Sequence, residues 1–293
     1  MLVDEFEYLE PETISEAIDL LSKFGPDAKL IAGGTDLLLD MKMGKVKPKF
    51  LISLDKISDL RFIADGGETL RIGAMTTIAE IEKSKLIKDR CPLLSEAAQV
   101  MGSVQIRNMA TIGGNICNAL PSADLPPALV ALDATVKVVG KNCEKTMPLE
   151  EFFAGVRKTK LEQSEILKEV QVRATQGRTG TSFLKLGKTH VDLAIVNAAA
   201  RITLAKSGEC KEARIAIGGG VAPTLIRARE SEEMLEGRMI DENLFAKAAE
   251  KACEKLSPRE TSFRASPWYK AEATKAIVKR ALAKAFERAR AGG

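Results

Sequence analysis

The segment that decides the fold, residues 109–133, reads MATIGGNICNALPSADLPPALVALD. The pair Gly113 and Gly114 permits φ > 0 and a close approach of another group to the backbone. Successive N–H groups in such a turn predict an anion-binding nest, which the Thr111 hydroxyl and the Asn115 amide would flank. Because Gly-Gly also punctuates ordinary turns, a simple turn between two strands is the alternative interpretation.

The same pattern occurs earlier in the chain, where residues 29–38 read KLIAGGTDLL. It predicts a strand, a Gly-Gly turn and an apolar helix that Thr35 or Asp36 caps, with a helix N-terminus that favours an anion. The two loops could hold the two ends of a dinucleotide pyrophosphate, and Asp124 could accept a hydrogen bond from a ribityl or ribose hydroxyl. Neither loop has the spacing of a Rossmann or P-loop motif.

Composition limits the classes of function. The 293 residues are enough for two domains of ~100–200 residues each, with 45% hydrophobic and 29% charged residues. A net charge of +4, with both signs interleaved, argues against nucleic acid. The last helix is strongly basic, which we interpret as a solvated face, with a nucleic-acid or membrane surface as the alternative. We find no run of ~18 apolar residues and no secretory leader, and therefore expect a cytoplasmic protein without a membrane span.

Cysteine and histidine usage argues against a metal site. None of the five cysteines has Cys-x-x-Cys spacing, and His190 is the only histidine. Such a set indicates reduced thiols and leaves no ligands for a typical zinc or iron–sulfur site, so we predict no metal ligands in this chain. Cys117, beside the second glycine pair, could contact a cofactor or fill a small buried space.

Hydrophobic periodicity and turn residues predict a mixture of helices and strands. Predicted strands lie at about 1–12, 28–32, 50–54, 135–139, 165–172, 181–187, 194–205 and 214–217, with a hairpin at 60–73. Predicted helices lie at about 13–24, 37–43, 77–84, 92–101, 126–132, 148–153, 227–236, 241–256 and 270–290. The stretch 174–180 is the predicted boundary between a domain at 1–176, with subdomains of about 1–55 and 56–176, and a second domain at 177–293.

Several segments, in order and nearly from end to end, resemble the flavoprotein (medium) subunit of the molybdenum hydroxylases. This is the family of aerobic carbon monoxide dehydrogenase, xanthine dehydrogenase and 4-hydroxybenzoyl-CoA reductase. The matching motifs are AGGTD at 32–36, QIRN at 105–108, TIGGN at 111–115, DLPPAL at 124–129, LDA at 132–134, FLK at 183–185, DLAIVN at 192–197 and ARIAIGG at 213–219.

The resemblance implies an α+β fold: an FAD-binding domain of the vanillyl-alcohol-oxidase (PCMH) type with two subdomains, followed by a C-terminal α+β domain of the carbon monoxide dehydrogenase flavoprotein type. It implies FAD as the cofactor and no catalytic residue in this chain. By matching position, the FAD-binding residues would be Ala32, Gly33, Gly34, Thr35, Asp36, Thr111, Ile112, Gly113, Gly114, Asn115, Asp124, Leu167 and Lys185. We expect Gly33→Val or Gly114→Val to abolish FAD binding in a protein that still folds.

The resemblance also implies partners. Electrons would come from a molybdopterin large subunit through an iron–sulfur small subunit, in a hetero-oligomer such as a dimer of heterotrimers. The flavin would pass them to NAD, a quinone or oxygen. Where relatives often carry two arginines, this chain has Lys188 and Thr189, followed by His190, and Leu193 lies where a side chain often covers the flavin ring.

Two other functions are compatible with these residues. One is a self-contained flavin reductase of the same fold, similar to the enolpyruvyl-UDP-sugar reductase, for which Ser122 and Glu165 are candidate acid residues. The other is a nucleotide-binding protein without enzymatic activity. Arg107 could pair either with a phosphate or with a surface carboxylate.

Overall fold

The computed structural model describes residues 4–260 and 264–292, so the first part of the predicted strand at 1–12 lies outside the described residues. The helices are α1 (Ile14–Phe24), α2 (Leu37–Lys42), α3 (Ile78–Lys83), α4 (Lys85–Arg90), α5 (Pro92–Gln99), α6 (Val104–Met109), α7 (Ile112–Cys117), α8 (Leu125–Ala131), α9 (Leu149–Phe152), α10 (Arg229–Leu235), α11 (Glu242–Cys253) and α12 (Pro267–Ala291). The strands are β1 (Glu7–Leu9), β2 (Ala28–Ile31), β3 (Phe50–Ser53), β4 (Ile63–Asp65), β5 (Thr69–Gly73), β6 (Thr135–Val139), β7 (Glu144–Pro148), β8 (Phe153–Gly155), β9 (Lys158–Thr159), β10 (Ile166–Arg173), β11 (Thr179–Leu186), β12 (Val196–Leu204), β13 (Cys210–Gly218) and β14 (Ile226–Arg227).

The first unit is a three-stranded parallel sheet, in the order β1-β3-β2, covered by α1. Helix α1 buries Ala17, Ile18 and Leu21 in one cluster with residues of β3. The hydroxyl of Thr13 accepts a hydrogen bond from the N–H of Glu16 at 3.2 Å, as the predicted capping box requires. The carboxylate of Glu16 accepts from the N–H of Glu12 instead of Thr13, so only half of that box forms.

The second unit is an antiparallel sheet in the order β4-β5-β10-β6-β7, with helices α3, α5 and α8 among the elements that fill its core. Strand β10 lies between β5 and β6, and its first residue, Ile166, packs into the core of the first unit. The N-terminal end of β10 therefore lies where the two units meet. The turn at Asp65–Gly67 closes the predicted hairpin between β4 and β5.

The third unit is an antiparallel sheet in the order β11-β12-β13-β14, against which α10 and α12 pack, while α11 packs on both helices. Gly180 permits the close approach of α12, because a Cβ atom there would lie 2.0 Å from the carbonyl oxygen of Ala285. Strand β13 begins at Cys210 instead of Arg214, and α4, α6, α7, β7 and the β8–β9 hairpin were not predicted.

An ion-pair network joins the second and third units. Asp133, which follows α8, receives hydrogen bonds from three arginines of the third unit: Arg201 at 2.6 Å, Arg214 at 3.0 Å and Arg227 at 3.1 Å. These guanidinium groups outweigh the effect of burial and hold the pKa of Asp133 below its usual value. The network fixes how the third unit sits on the second.

Candidate functional site

A cavity of about 360 Å³ lies between the first and second units and is lined by both Gly-Gly segments. This volume is within the ~300–1,000 Å³ range of small-molecule sites. Its apolar wall comes from the ends of several strands and loops: Leu54, Ala74, Met75, Ile166 and Leu167. The structure therefore brings together the two sequence patterns on which the prediction rests.

The first segment, Ala32–Asp36, connects β2 to α2 and lines the cavity throughout. Gly34 has φ +69°, as a nest requires. The N–H groups of the four residues 33–36 donate to no acceptor in the part of the chain that the structure describes. This run of half-buried donors is suited to an anion.

Asp36 occupies the N-cap position of α2, but neither its side chain nor that of Thr35 caps the helix, so the predicted cap is wrong. The Asp36 backbone is already helical at φ −99°, ψ −46°, unlike the extended conformation that a capping side chain prefers. Burial raises the pKa of the Asp36 carboxyl group, and the nearby Arg157 only partly offsets this effect.

The second segment has a different backbone. Gly113 and Gly114 lie in the first turn of α7 and do not have positive φ, so the predicted nest is wrong here. Thr111 caps this helix by accepting from the N–H of Gly114 at 3.0 Å. The N–H groups of Ile112 and Gly113 donate to the carbonyl groups of Thr76 and Ala74. The amides of this segment are thus already paired within the protein.

The glycines of the two segments have different surroundings. A Cβ atom on Gly33 would collide with the backbone of Met109, and one on Gly113 would lie 2.7 Å from the carbonyl oxygen of Ala74. On Gly114 the nearest atoms would be the hydroxyl oxygen of Thr111 at 3.0 Å and the methyl group of Ala32 at 3.9 Å. Gly114 is therefore the position where an added side chain would have the most room towards the cavity.

Asn115 contributes a polar side chain to the cavity wall. Its Oδ1 is buried and has no hydrogen-bond donor among the described residues, while its Nδ2 lies 3.9 Å from the sulfur of Met101. A buried carbonyl oxygen without a donor is costly.

Arg157 is a lining residue that sequence reasoning missed. It pairs with Asp40 of α2 across the cavity rim, and its own N–H donates to the carbonyl oxygen of Ala119 at 3.0 Å. Arg157 has φ +56° in the turn between β8 and β9. No local pattern marks this residue, because its partner is 117 positions away in the sequence.

Asp124 and Lys185 do not line this cavity. The ammonium group of Lys185 lies 2.6 Å from Oδ2 of Asp124 and also donates to the carbonyl oxygen of Val100, while Asn197 donates to Oδ1 at 3.0 Å. Burial raises the pKa of the Asp124 carboxyl group, although Lys185 and Asn197 oppose the shift. Ile112 is fully buried behind the second segment.

Other residues singled out in the sequence have separate surroundings. Arg107 pairs with Glu82 at 2.8 Å, the carboxylate alternative. Cys117 lines the cavity, and burial raises the pKa of its thiol to about 12. Residues 188–193 lie outside the cavity wall, and Val191 and Leu193 are exposed. Residues 4–260 and 264–292 contain no cluster of three metal-ligating side chains and no helix long and apolar enough to cross a bilayer.

Two family models match the chain. Residues 4–173 match the FAD binding domain in molybdopterin dehydrogenase, and residues 182–285 match the CO dehydrogenase flavoprotein C-terminal domain. The chain belongs to the flavoprotein subunits of the molybdenum hydroxylases. The predicted family, the α+β fold with its FAD-binding domain, and FAD as cofactor are thereby confirmed.

Relatives of this flavoprotein cover its full length. The carbon monoxide dehydrogenase medium chain of Hydrogenophaga pseudoflava is 36% identical over 98% of this chain and 99% of that protein. The xanthine dehydrogenase FAD-binding subunit of Escherichia coli O157:H7 is 30% identical over 100% of this chain and 99% of that protein. A solved structure of carbon monoxide dehydrogenase from Hydrogenophaga pseudoflava matches with a TM-score of 0.95, 36% identity, and coverage of 98% of this chain and 99% of that chain. This protein is thus the flavoprotein subunit of an oxidoreductase.

Proposed function

We propose that the chain is the electron-transfer subunit of a molybdenum hydroxylase complex. It takes electrons from iron–sulfur clusters of a small subunit, which a molybdopterin large subunit reduces, and passes them to an external acceptor such as NAD, a quinone or oxygen. The bound FAD supplies the redox chemistry, and the chain supplies binding and orientation. The cavity between the two Gly-Gly segments is the observation that carries this proposal.

The hydrogen bonds of the two segments support a division of labour in FAD binding. The free N–H groups of residues 33–36 would receive the diphosphate, since donors of this kind favour negative charge. Thr111 and Asn115 would face the cofactor with side-chain atoms, and Leu167 would pack against it from the apolar wall. Ile112, Asp124 and Lys185 would hold these elements in position from behind, without lining the cavity themselves.

Exposed apolar side chains near the cavity support docking of a partner subunit. Gly33, four residues before α2, packs on Met109 at the end of α6. The exposed apolar residues of the α2 and α6 segments are Leu38, Leu39, Met43, Val104, Ile106 and Met109. We call these six residues the apolar rim. Clusters of exposed apolar side chains commonly mark protein–protein interfaces. An iron–sulfur subunit bound at the apolar rim would lie beside the flavin cavity.

The alternative, a self-contained flavin reductase, needs an acid at the cofactor. Glu165 is buried, accepts from the N–H of Glu162 and pairs with Lys145 at 2.6 Å. Neither Glu165 nor Ser122 lines the cavity. This arrangement favours the electron-transfer role.

The domain boundary and the location complete the proposal. We assign residues 1–176 to the FAD-binding domain and residues 177–293 to the C-terminal flavoprotein domain, with the linker around 174–180. We also propose that the complex works in the cytoplasm, as a dimer of heterotrimers.

The decisive experiment uses the chain alone, reconstituted with FAD. It should turn over purines, aldehydes, aromatic thioesters and carbon monoxide poorly, since it has no metal-oxo group to deliver oxygen. Purification from the native source should yield two further chains, one of which contains iron. Substantial turnover of any of these substrates by the isolated chain would exclude the electron-transfer role and favour a self-contained enzyme.

A further inference from the structure

A second cavity, of about 380 Å³, lies at the junction of the second and third units, and we call it the linker cleft. One wall is the connection between β10 and β11, residues 173–179, and the other is formed by the neighbouring ends of β12 and β13. It shares no lining residue with the flavin cavity. Its volume falls in the ~300–1,000 Å³ range of small-molecule sites.

The lining of the linker cleft is strongly basic. It contains one carboxylate, that of Glu212, and five cationic side chains: Arg173, Arg178, Arg201, Lys206 and Lys211. The carboxylate of Glu212 already forms ion pairs with three arginines: Arg214 at 2.6 Å, Arg201 at 2.7 Å and Arg173 at 3.3 Å. A concave surface with an excess of one charge concentrates the field and attracts counter-ions.

Lys206 and Lys211 add charge that the protein does not neutralise. Neither ammonium group forms an ion pair with a carboxylate in the described ranges, 4–260 and 264–292. They lie on either side of the turn between β12 and β13, on the wall opposite the linker. The cleft thus presents unpaired cations from one side and arginines from the other.

The linker wall also holds buried polar atoms without partners. Oγ1 of Thr175 and Nε of Arg178 are buried, and neither has a hydrogen-bond partner among the residues that the structure describes. Both residues are held in place by their backbones, since Thr175 donates its N–H to the carbonyl oxygen of Arg90 at 2.7 Å and the carbonyl oxygen of Arg178 accepts from Leu204 at 2.9 Å. Nη1 of Arg178 donates to the carbonyl oxygen of Ala205 at 3.1 Å, so this side chain holds the linker against the end of β12 and fixes the shape of the cleft.

We propose that the linker cleft binds a phosphate-bearing anion. Oxygens of the phosphate group would accept from Arg173 on the linker side and from Lys206 and Lys211 on the sheet, since guanidinium and ammonium groups are the usual partners of phosphate. The volume leaves room for a small organic group attached to that phosphate. Bound there, the anion would tie the linker to the third unit and stiffen the joint between the domains.

The test uses the full chain with FAD bound, so that the flavin cavity is occupied. Orthophosphate, pyrophosphate and AMP are titrated separately by isothermal titration calorimetry, at constant ionic strength balanced with sodium chloride. We expect saturable binding of one anion per chain and a raised melting temperature. Tighter binding of AMP than of orthophosphate indicates a phosphorylated metabolite as the ligand, and tighter binding of orthophosphate indicates free phosphate.

Two variants locate the site. K206Q/K211Q should weaken binding about tenfold, the effect of removing two partly exposed charges. K279Q/K284Q, with the same change of charge on exposed positions of α12, should bind as the wild type. The proposal is overturned if none of the three probes binds saturably, or if both double variants weaken binding equally.

Discussion

A Cβ atom on Gly33 would lie 1.8 Å from the carbonyl oxygen of Met109, so the first glycine segment packs directly on the end of α6. The first segment is therefore in van der Waals contact with the chain that leads into the second. This corrects one expectation from the sequence: Gly33→Val would disrupt the protein's own packing before it disturbed a cofactor.

Alanine substitutions separate packing from cofactor binding. Gly33→Ala should lower the free energy of unfolding by about 1–3 kcal/mol, because the Met109 backbone must move. Gly114→Ala should leave the melting temperature of the flavin-free protein nearly unchanged and reduce FAD affinity. Thermal melts and flavin fluorescence titrations measure the two effects. Gly292→Ala, near the end of α12 with its nearest atom at 3.5 Å, is the control; full FAD affinity in Gly114→Ala would place the cofactor elsewhere.

The buried pair of Lys185 and Asp124 predicts strong coupling. Lys185→Met should cost about 3–5 kcal/mol of stability, because it leaves an unpaired carboxylate in a buried site. Adding Asp124→Leu should recover much of this loss. Lys49→Met, which breaks the exposed pair with Asp27, should cost less than about 1 kcal/mol. Urea unfolding of the wild type, Lys185→Met, Asp124→Leu and the double variant gives the coupling energy, and additive single effects would contradict the prediction.

Asp133 should stabilise the joint between domains through its charge. Asp133→Asn keeps the size and tolerates φ +51°, and should cost about 2 kcal/mol at neutral pH. The pKa of Asp133 is lowered in the folded state, so its contribution is present above the unfolded value of 3.8 and disappears as pH falls through the folded value. Urea unfolding of both proteins at pH 7 and below pH 4 measures this; Asp19→Asn, from the exposed pair with Lys141, is the control.

The ionised carboxylate of Asp36 should lower the stability of the folded protein, the opposite of the effect of Asp133. Its pKa is raised in the folded protein by burial, so the folded state binds the proton more tightly and stability falls as pH rises above 3.8 through the folded value. Asp36→Asn should therefore be more stable than the wild type at pH 7 when FAD is absent. The difference should vanish when unfolding is measured below the unfolded pKa. A variant that is less stable than the wild type at neutral pH would show that the carboxylate is favourably paired.

The apolar rim should matter only to assembly. Leu39→Gln together with Met109→Gln should reduce co-purification of the iron–sulfur subunit, because both side chains are more than half exposed and available for burial. FAD content and melting temperature should stay as in the wild type. Met239→Gln changes an even more exposed apolar side chain, on the third unit, and serves as the control. Equal recovery of the partner with the rim variant would remove this surface from the proposed interface.

Local signals in the sequence predicted much of the fold. Thr13 before an apolar helical face, and Asp65–Gly67 between two alternating strands, act through neighbours within a few residues, and the structure has both elements. Helix α7 was not predicted, because Gly-Gly lowers helix propensity, although Thr111 is a local N-cap. Tertiary contacts also fix its start: Thr76 and Ala74 accept the N–H groups of Ile112 and Gly113 from a distant loop.

The candidate site also was predicted only where local signals in the sequence mark it. The resemblance and the glycine pairs located the cavity, since Ala32–Asp36 and the second segment both line it, apart from the buried Ile112. Two ion pairs depend on contacts between remote parts of the chain: Arg157 with Asp40, and Lys185 with the buried Asp124. No spacing rule along one sequence reports such contacts.

The position of β10 determines when the sheet of the second unit can form during synthesis. This strand is the last of its sheet to be synthesised, yet it occupies the middle, between β5 and β6. During synthesis, the β4–β5 and β6–β7 hairpins cannot join into one sheet until β10, which ends at residue 173, has left the ribosome. Until then each hairpin has an unpaired edge strand. Ile166 and Leu167 line the flavin cavity, so a nascent chain that ends before them lacks part of the cavity wall. We therefore expect FAD to bind only after the first domain has been completed.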